Sequence, residues 1–337
     1  MNLIFTGGGT GGHLVIALSL AQVARERGHR VMFIGSTSGQ DRQWFADSTL
    51  FDEVHFLETT GVVNKSGFGK LGALWKVFKA SLKSRDLIGK FHADAVVSVG
   101  GFSAAPAALA AVVSRVPLYI HEQNAVTGKL NRLLRPYAKR FFSSYEEGEN
   151  HCDYPVNARY FENARIRTEV KTVIFLGGSQ GAKFINDLAL EIAPWLAHGG
   201  IHIIHQCGLK EEERVRAAYH HLGIEAEVYG FTTQIAELCE KSDFAVSRSG
   251  ASTLWELCAA KIPAFYIPFP YAAADHQYHN ARYIIDHNAG WCERQSEGLL
   301  LKLQEAIGSD IRAKSEALGN LITQNGATHI IEKIEKR

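Results

Sequence analysis

Several things are missing from these 337 residues, and each absence removes a class of protein. Apolar stretches such as Ala104 to Val113 fall far short of the roughly 18–20 residues a bilayer requires, so no transmembrane segment is expected. Met1-Asn2 leads directly into Leu3-Ile4-Phe5 with no basic stretch and no cleavage site, which speaks against a secretory signal. The five cysteines (Cys152, Cys207, Cys239, Cys258, Cys292) are odd in number, widely spaced and never C-x-x-C. They read as reduced cytosolic thiols, not as a disulfide framework or a metal site. No Asp-x-Asp occurs, which argues against a divalent ion held beside a diphosphate. A polybasic block is absent too, and 36 basic residues against 35 acidic ones give a nearly neutral chain, so a nucleic-acid partner is not expected. Without G-x-x-x-x-G-K-[ST] the chain is no P-loop ATPase.

What is present is glycine, 31 residues of it, in a chain long enough for two domains. Apolar β-branched runs alternate with helical patterns: Leu3–Thr6, Val31–Ile34, Val96–Val99, Leu118–Ile120, Thr172–Leu176, Ile201–His205, Phe244–Ser247 and Ala264–Ile267. Continuous apolar strands separated by helices predict parallel sheets covered on both faces, an α/β fold. The first unit runs strand, Gly7–Gly12, helix from about His13, basic Arg25 and Arg27 in the last turn, then Gly28 as the stop. Glu146 to Glu169 breaks the rhythm, and then the chain starts over with Thr172–Leu176, Gly177–Gly181 and a helix from about Ala182. Residues 1–157 carry 17 basic and 13 acidic side chains, leaving 19 and 22 for the remainder. The pattern predicts two doubly wound domains, 1–157 and 158–325, with 326–337 as a terminal helix able to return to the first. Ligands of such sheets bind at the carboxyl ends of the strands, so the cleft between the domains is the expected site.

Gly7-Gly8-Gly9-Thr10-Gly11-Gly12 matches G-x-G-x-x-G, a loop that lets phosphate or sugar approach backbone N–H groups at a helix N-terminus. A dinucleotide site also wants an acidic residue closing the second strand, and here that strand ends Ile34-Gly35-Ser36-Thr37. That weakens a nicotinamide reading. Gly177–Gly181 offers a second anion site with the Ser179 hydroxyl, and Ser247 to Thr253, running into a helix with Glu256, offers a third. Thr253-x-x-Glu256 also fits a capping box, so two readings stand: a structural cap, or Glu256 accepting from a ribose diol while Ser249 to Thr253 present N–H groups to a diphosphate. Three such turns together suit a nucleoside diphosphate. His202 and His205 lie on opposite faces of a strand and cannot share a metal, and His276 with His279 lacks a further ligand. His13 opens the first helix, where its protonated form is disfavoured, as suits a general base.

Gly8-Gly9-Thr10-Gly11-Gly12-His13, His121-Glu122-Gln123-Asn124-Ala125, Gly177 to Ala182, Ser247-Arg248-Ser249-Gly250-Ala251 with Glu256, and Pro268-Phe269-Pro270 followed by Gln277-Tyr278 and Asn280-Ala281 fall in order along nearly the whole chain. In this the chain resembles the MurG family, the N-acetylglucosaminyltransferases of bacterial peptidoglycan synthesis, whose fold is GT-B. The resemblance implies transfer of N-acetylglucosamine from UDP-GlcNAc to the C4 hydroxyl of the muramoyl sugar of lipid I, with inversion and with no metal or other cofactor. It implies that His13 is the base, that Thr10, Gly11, Gly12 and Asn124 lie at the sugars, and that Ser179 meets the diphosphate. Ala251, Ser252, Thr253, Leu254, Trp255 and Glu256 would line sugar, phosphate and ribose, and Gln277 the GlcNAc hydroxyls. Asn157 stands where the family has an arginine on a donor phosphate, so that either Arg159 nearby replaces it or the contact is absent; the uracil is expected near Phe231-Thr232. A UDP-GlcNAc 2-epimerase shares such a fold and donor site, and would convert donor with no acceptor present.

A lipid-linked acceptor requires the enzyme to reach the cytoplasmic face of the bacterial inner membrane. From Lys65 to Lys90 seven basic residues face one acid, Asp86. Leu71, Leu74, Trp75, Phe78 and Leu82 follow helical spacing among them, the pattern of a helix lying on an anionic lipid surface. The same pattern also fits an amphipathic helix docked by that stripe onto the first sheet.

Overall fold

A computed structural model describes residues 1–61, 67–178 and 182–336. The chain divides into two compact units, Met1–Pro155 with Asn325–Arg337, and Val156–Gln324. In the first unit β1 (Asn2–Thr6), β2 (Arg30–Ser36), β3 (Glu53–Leu57), β4 (Ala95–Ser98), β5 (Leu118–Glu122) and β6 (Arg140–Ser143) form a parallel sheet in the order β3-β2-β1-β4-β5-β6. The second unit repeats that order with β7 (Thr172–Leu176), β8 (His202–Gln206), β9 (Glu227–Tyr229), β10 (Phe244–Ser247), β11 (Ala264–Tyr266) and β12 (Trp291–Cys292), arranged β12-β11-β10-β7-β8-β9. Helices cover the sheets, and interior strands such as β1, β4, β7 and β10 are buried almost end to end, which is why they read as unbroken apolar runs. The eight strands legible as such runs are all present, with boundaries shifted by a residue or two. The four that were not anticipated, β3, β6, β9 and β12, are the outer edges of the two sheets.

The strand order reverses between β1 and β4 in the first unit and between β7 and β10 in the second. These are the topological switch points, where the strands' carboxyl ends leave a crevice for a ligand. The glycine turn after β1 and the turns after β7 and β10 all fall there.

The helix Gly67–Lys90 settles one open question. Its inward face is made of Ala73, Val77, Ala80, Ser84, Leu87 and Ile88, small or medium side chains that let it lie against the alanine-rich helix Ala105–Val113. The larger stripe points the other way: Leu71, Leu74 and Leu82 are exposed, and Trp75 and Phe78 keep 57% and 52% of their surface in solvent. The reading in which that stripe docks on the sheet is therefore overturned; small residues do the packing. Trp75 and Phe78 stack with ring centroids 5.5 Å apart, and the Lys79 ammonium lies 5.3 Å from the Trp75 ring centre.

The terminal helix Gly326–Glu335 belongs to the first unit and packs on the helix Gly11–Glu26. Ile330, Ile331 and Ile334 are fully buried, and Glu335 accepts from Arg27 (3.0 and 2.6 Å) and lies 2.7 Å from His29.

Candidate functional site

In the first unit the turn after β1 leads into the helix Gly11–Glu26, whose N-cap is Thr10. The Thr10 hydroxyl does not cap the helix; it lies 3.0 Å from Nδ1 of His13. On its other side the ring meets the Gln123 amide, 2.9 Å from Nε2. His13 is thus gripped at both nitrogens, by a neighbour in its own turn and by a residue 110 positions away at the end of β5. Glu122, buried, organises that strand end. Its Oε1 accepts the Asn124 N–H (3.0 Å), and its Oε2 accepts the Gly128 N–H (2.9 Å) and the Asn131 amide (2.8 Å), which fixes the loop bearing Asn124. Behind it His121 is fully buried against Tyr154, with neither ring nitrogen hydrogen-bonded. Burial, helped by the nearby His13, pushes its imidazole down to about 3 and keeps it neutral.

In the second unit β10 ends at Ser247 and the helix Ala251–Ala259 begins after the N-cap Gly250. Thr253 therefore sits inside the first turn and makes no side-chain cap, so the capping-box reading of Thr253 and Glu256 is corrected: the cap position is three residues earlier. First-turn N–H groups of a helix have no intrahelical carbonyl to donate to, and the Ser249 hydroxyl beside them is fully buried without a hydrogen-bond partner. Leu254 and Trp255 turn into the core, whereas Ser252, Thr253 and Glu256 stay on the partly open face. Burial pushes the Glu256 carboxyl up to about 7, against the opposing pull of a hydrogen bond from the Tyr160 hydroxyl.

The surrounding braces are mostly side chain to backbone. Arg248 donates to the carbonyls of Ile267 (3.0 Å) and Pro268 (3.1 Å) and lies over the Phe184 and Phe269 rings, tying the end of β10 to the loop after β11. From that loop the Phe269 N–H donates to Oε1 of Gln277 (3.0 Å), so Gln277 is held by its oxygen and turns its amide nitrogen elsewhere. Asn280 donates to the Ser249 carbonyl at 3.2 Å. Gln206, at the end of β8, donates to the carbonyls of Gly178 (3.2 Å) and Gly230 (3.1 Å), bracing the glycine turn and the start of the exposed Phe231 segment together. His205, buried, lies 3.0 Å from both the Tyr219 hydroxyl and the Asn186 amide oxygen, while His202 on the opposite face is exposed. Asn157 accepts the Arg159 N–H, and the Arg159 guanidinium lies 3.9 Å from Glu237. Ser179 lies outside the described residues.

Within its own unit, then, the structure gathers His13, Thr10, Gly11, Gly12 and Asn124, and within the other it gathers Ala251 to Glu256 and Gln277. Gln123, Glu122, Tyr160, Gln206 and Arg248 were not anticipated as site residues. Position at the carboxyl end of a strand is the signal that would have found Gln123, Glu122, Gln206 and Arg248. Tyr160 carries none, since 96 residues separate it from Glu256.

Two doubly wound sheets of one strand order, with glycine or serine turns at their switch points, are the GT-B architecture. The model of the glycosyltransferase family 28 N-terminal domain matches residues 3–143 and that of the family 28 C-terminal domain matches 172–337. The chain belongs to glycosyltransferase family 28. It is 52% identical over 99% of its length, and 98% of the relative's, to the UDP-N-acetylglucosamine–N-acetylmuramyl-(pentapeptide) pyrophosphoryl-undecaprenol N-acetylglucosamine transferase of Sulfurimonas denitrificans. The protein of the same description from Campylobacter fetus is 48% identical, with 99% and 100% of the two chains covered. The crystal structure of Acinetobacter baumannii MurG superposes with a TM-score of 0.80 at 25% identity, covering 100% of this chain and 99% of that one.

Proposed function

We propose that this glycosyltransferase moves N-acetylglucosamine from UDP-GlcNAc to the C4 hydroxyl of the N-acetylmuramoyl sugar of lipid I, releasing UDP and giving lipid II with inversion at the anomeric carbon. The observation that carries the reading is the 52% identity, over 99% of the chain, with a relative named for that transfer.

In this reading the acceptor hydroxyl displaces the Gln123 amide from Nε2 of His13, which takes its proton as the oxygen attacks the anomeric carbon and the bond to the UDP phosphate breaks. Thr10 and Gln123 set the plane of the imidazole, so no rotation is needed at the moment of transfer. Thr10, Gly11, Gly12 and Asn124 contact sugar hydroxyls. In the second unit the first-turn amides Ala251 to Thr253, the positive end of their helix and the Ser249 hydroxyl stabilise the departing diphosphate, with Ser179 adding its hydroxyl. Glu256 accepts from the ribose diol, and Gln277 donates to a GlcNAc hydroxyl. Backbone dipoles do here what a divalent ion does elsewhere, in a chain with no Asp-x-Asp, so the reaction runs without a metal.

Among the described residues no helix is long and apolar enough to cross a membrane. Contact with the cytoplasmic face of the inner membrane falls to the outward stripe Leu71, Leu74, Trp75, Phe78 and Leu82 with Lys76, Lys79, Lys83 and Arg85 beside it, apolar side chains entering the headgroup region and cations meeting anionic lipid.

The test is to supply UDP-GlcNAc with and without a lipid I analogue and measure UDP release in the presence of a chelator. Release that needs the acceptor and survives the chelator is expected; conversion of the donor alone points to an epimerase, and a strict metal requirement removes the metal-independent mechanism.

A further inference from the structure

In this structure the nitrogen that would take the acceptor's proton is covered. Nε2 of His13 lies 2.9 Å from the Gln123 amide nitrogen, and Nδ1 lies 3.0 Å from the Thr10 hydroxyl. An amide nitrogen can only donate, so the lone pair of the ring points at Gln123 and its proton sits on Nδ1, donated to Thr10. Gln123 itself, only 9% exposed, is held in this posture by little else: its Oε1 is buried with no hydrogen-bond partner among the described residues. A buried oxygen without a partner is costly, so the side chain can leave this posture at the loss of a single hydrogen bond. Against the same ring nitrogen, residue 100 is glycine. A Cβ there would stand 3.4 Å from Nε2, so no side chain at that position shuts off the ring.

We propose that Gln123 guards the base against water, and so decides which hydroxyl the donor sugar meets: its amide covers Nε2 of His13 until the acceptor hydroxyl displaces it. The reaction it restrains is hydrolysis of the donor. There a water proton passes to Nε2, the water oxygen bonds to the anomeric carbon, and the bond to the UDP phosphate breaks with its electron pair, giving free GlcNAc and UDP. To use Nε2 a water molecule must displace an amide tethered beside it, and it brings no other contact to offset the loss. An acceptor sugar arrives bound through its remaining groups, and that remote binding energy can be spent on moving the side chain. The discrimination available is that of one hydrogen bond, about tenfold or about 1.4 kcal/mol.

This inference rests on the reading of His13 as the base, and the experiment separates the two. Full-length wild type and Gln123→Leu are given UDP-GlcNAc without acceptor and free GlcNAc is measured; a lipid I analogue is then added and transferred GlcNAc is measured beside it. Gln123→Leu is expected to raise hydrolysis about tenfold while transfer falls, because the ring also loses a partner that orients it. A residue that only orients the ring cannot move the two rates in opposite directions. Hydrolysis and transfer falling together overturns the proposal, and so does unchanged hydrolysis in a Gln123→Leu chain that melts as the wild type does. Adding His13→Ala to Gln123→Leu is expected to abolish the gained hydrolysis; hydrolysis that survives it means the water was never activated at Nε2. If His13→Ala alone leaves transfer intact, the base reading fails and the guard fails with it. Should Gln123→Leu not fold, the isotopically labelled wild type decides: the Gln123 side-chain amide signals are expected to move when the acceptor analogue is added, and signals that stay overturn the proposal.

Discussion

The base and the ribose acceptor ask opposite things of their surroundings. His13 must be available to take a proton, and its ring is oriented by two neutral partners, Thr10 and Gln123, which hold it without charging it. His13→Ala should lower turnover by roughly 10²–10⁴ while UDP-GlcNAc affinity stays within a factor of about two, as read by kcat and by donor binding. Near-normal kcat would remove His13 as the base. Glu256 must be ionised to accept from a diol, yet burial pushes it up to about 7. Because the folded form holds the proton more tightly than the unfolded chain, this residue's contribution to stability is complete below pH 4.5 and is lost as pH rises through about 7. Ribose hydroxyls favour the ionised form, so UDP affinity should climb between about pH 6 and pH 8. Glu256→Gln should flatten that climb. Tyr160→Phe removes the bond that holds the value down, and should move the midpoint upward. At this scale the sequence carried the motif residues and not their partners. His13 and Glu256 sit in recognisable turns, but Gln123 and Tyr160 reach them from 110 and 96 residues away, and no spacing rule spans such distances.

Among the elements, the helix Gly67–Lys90 inverts the ordinary rule that large apolar side chains face inward. Ala73, Val77, Ala80 and Ser84, with Leu87 and Ile88 in its last turns, pack it against a small-sided neighbour, which frees Trp75 and Phe78 for solvent or lipid. Trp75→Ser with Phe78→Ser should weaken binding to anionic vesicles by tenfold or more, since each buried aromatic is worth about 1.5–3 kcal/mol, and leave UDP binding and melting temperature unchanged. Val77→Asp should do the reverse, lowering the melting temperature by placing a charge in the helix contact. A drop in melting temperature for the double serine variant would contradict the outward orientation. Legibility also follows position in the sheet. Strands covered on both faces declare themselves as apolar runs, whereas at the sheet edges Glu53–Leu57 is mostly half-buried and mixes charge with aromatics, and Arg140–Ser143, though largely buried, has only two apolar residues, Phe141 and Phe142. The stripe from Leu71 to Leu82 gave its period but not its direction, since periodicity fixes which residues share a face and not what that face meets.

Across the whole molecule, each unit carries one buried histidine held neutral, His121 and His205, both pushed down to about 3 by burial. The unfolded chain protonates them near 6.5, so the stability they contribute is intact above that pH and falls as the medium is acidified toward about 3, by about 1.4 kcal/mol per pH unit for each. Urea midpoints for both units should therefore drop between pH 7 and pH 5. His121→Leu should lessen the drop in the first unit only. The terminal helix bears on the first unit in the same way, and Ile331→Ala should cost it about 2–5 kcal/mol, visible as an earlier melt of that unit alone.

That helix also makes the second unit an insertion in the first: the chain leaves the first unit after Pro155 and rejoins it at Asn325. During synthesis the order of completion is consequently reversed. All strands of the first sheet emerge from the ribosome before any of the second, yet the face that receives Ile330, Ile331 and Ile334 stays bare until those residues, too, have been made. The unit begun second can be finished first. A chain stalled or cleaved between the two crossings would display an apolar surface on an otherwise folded domain, a surface open to self-association until the terminal helix covers it.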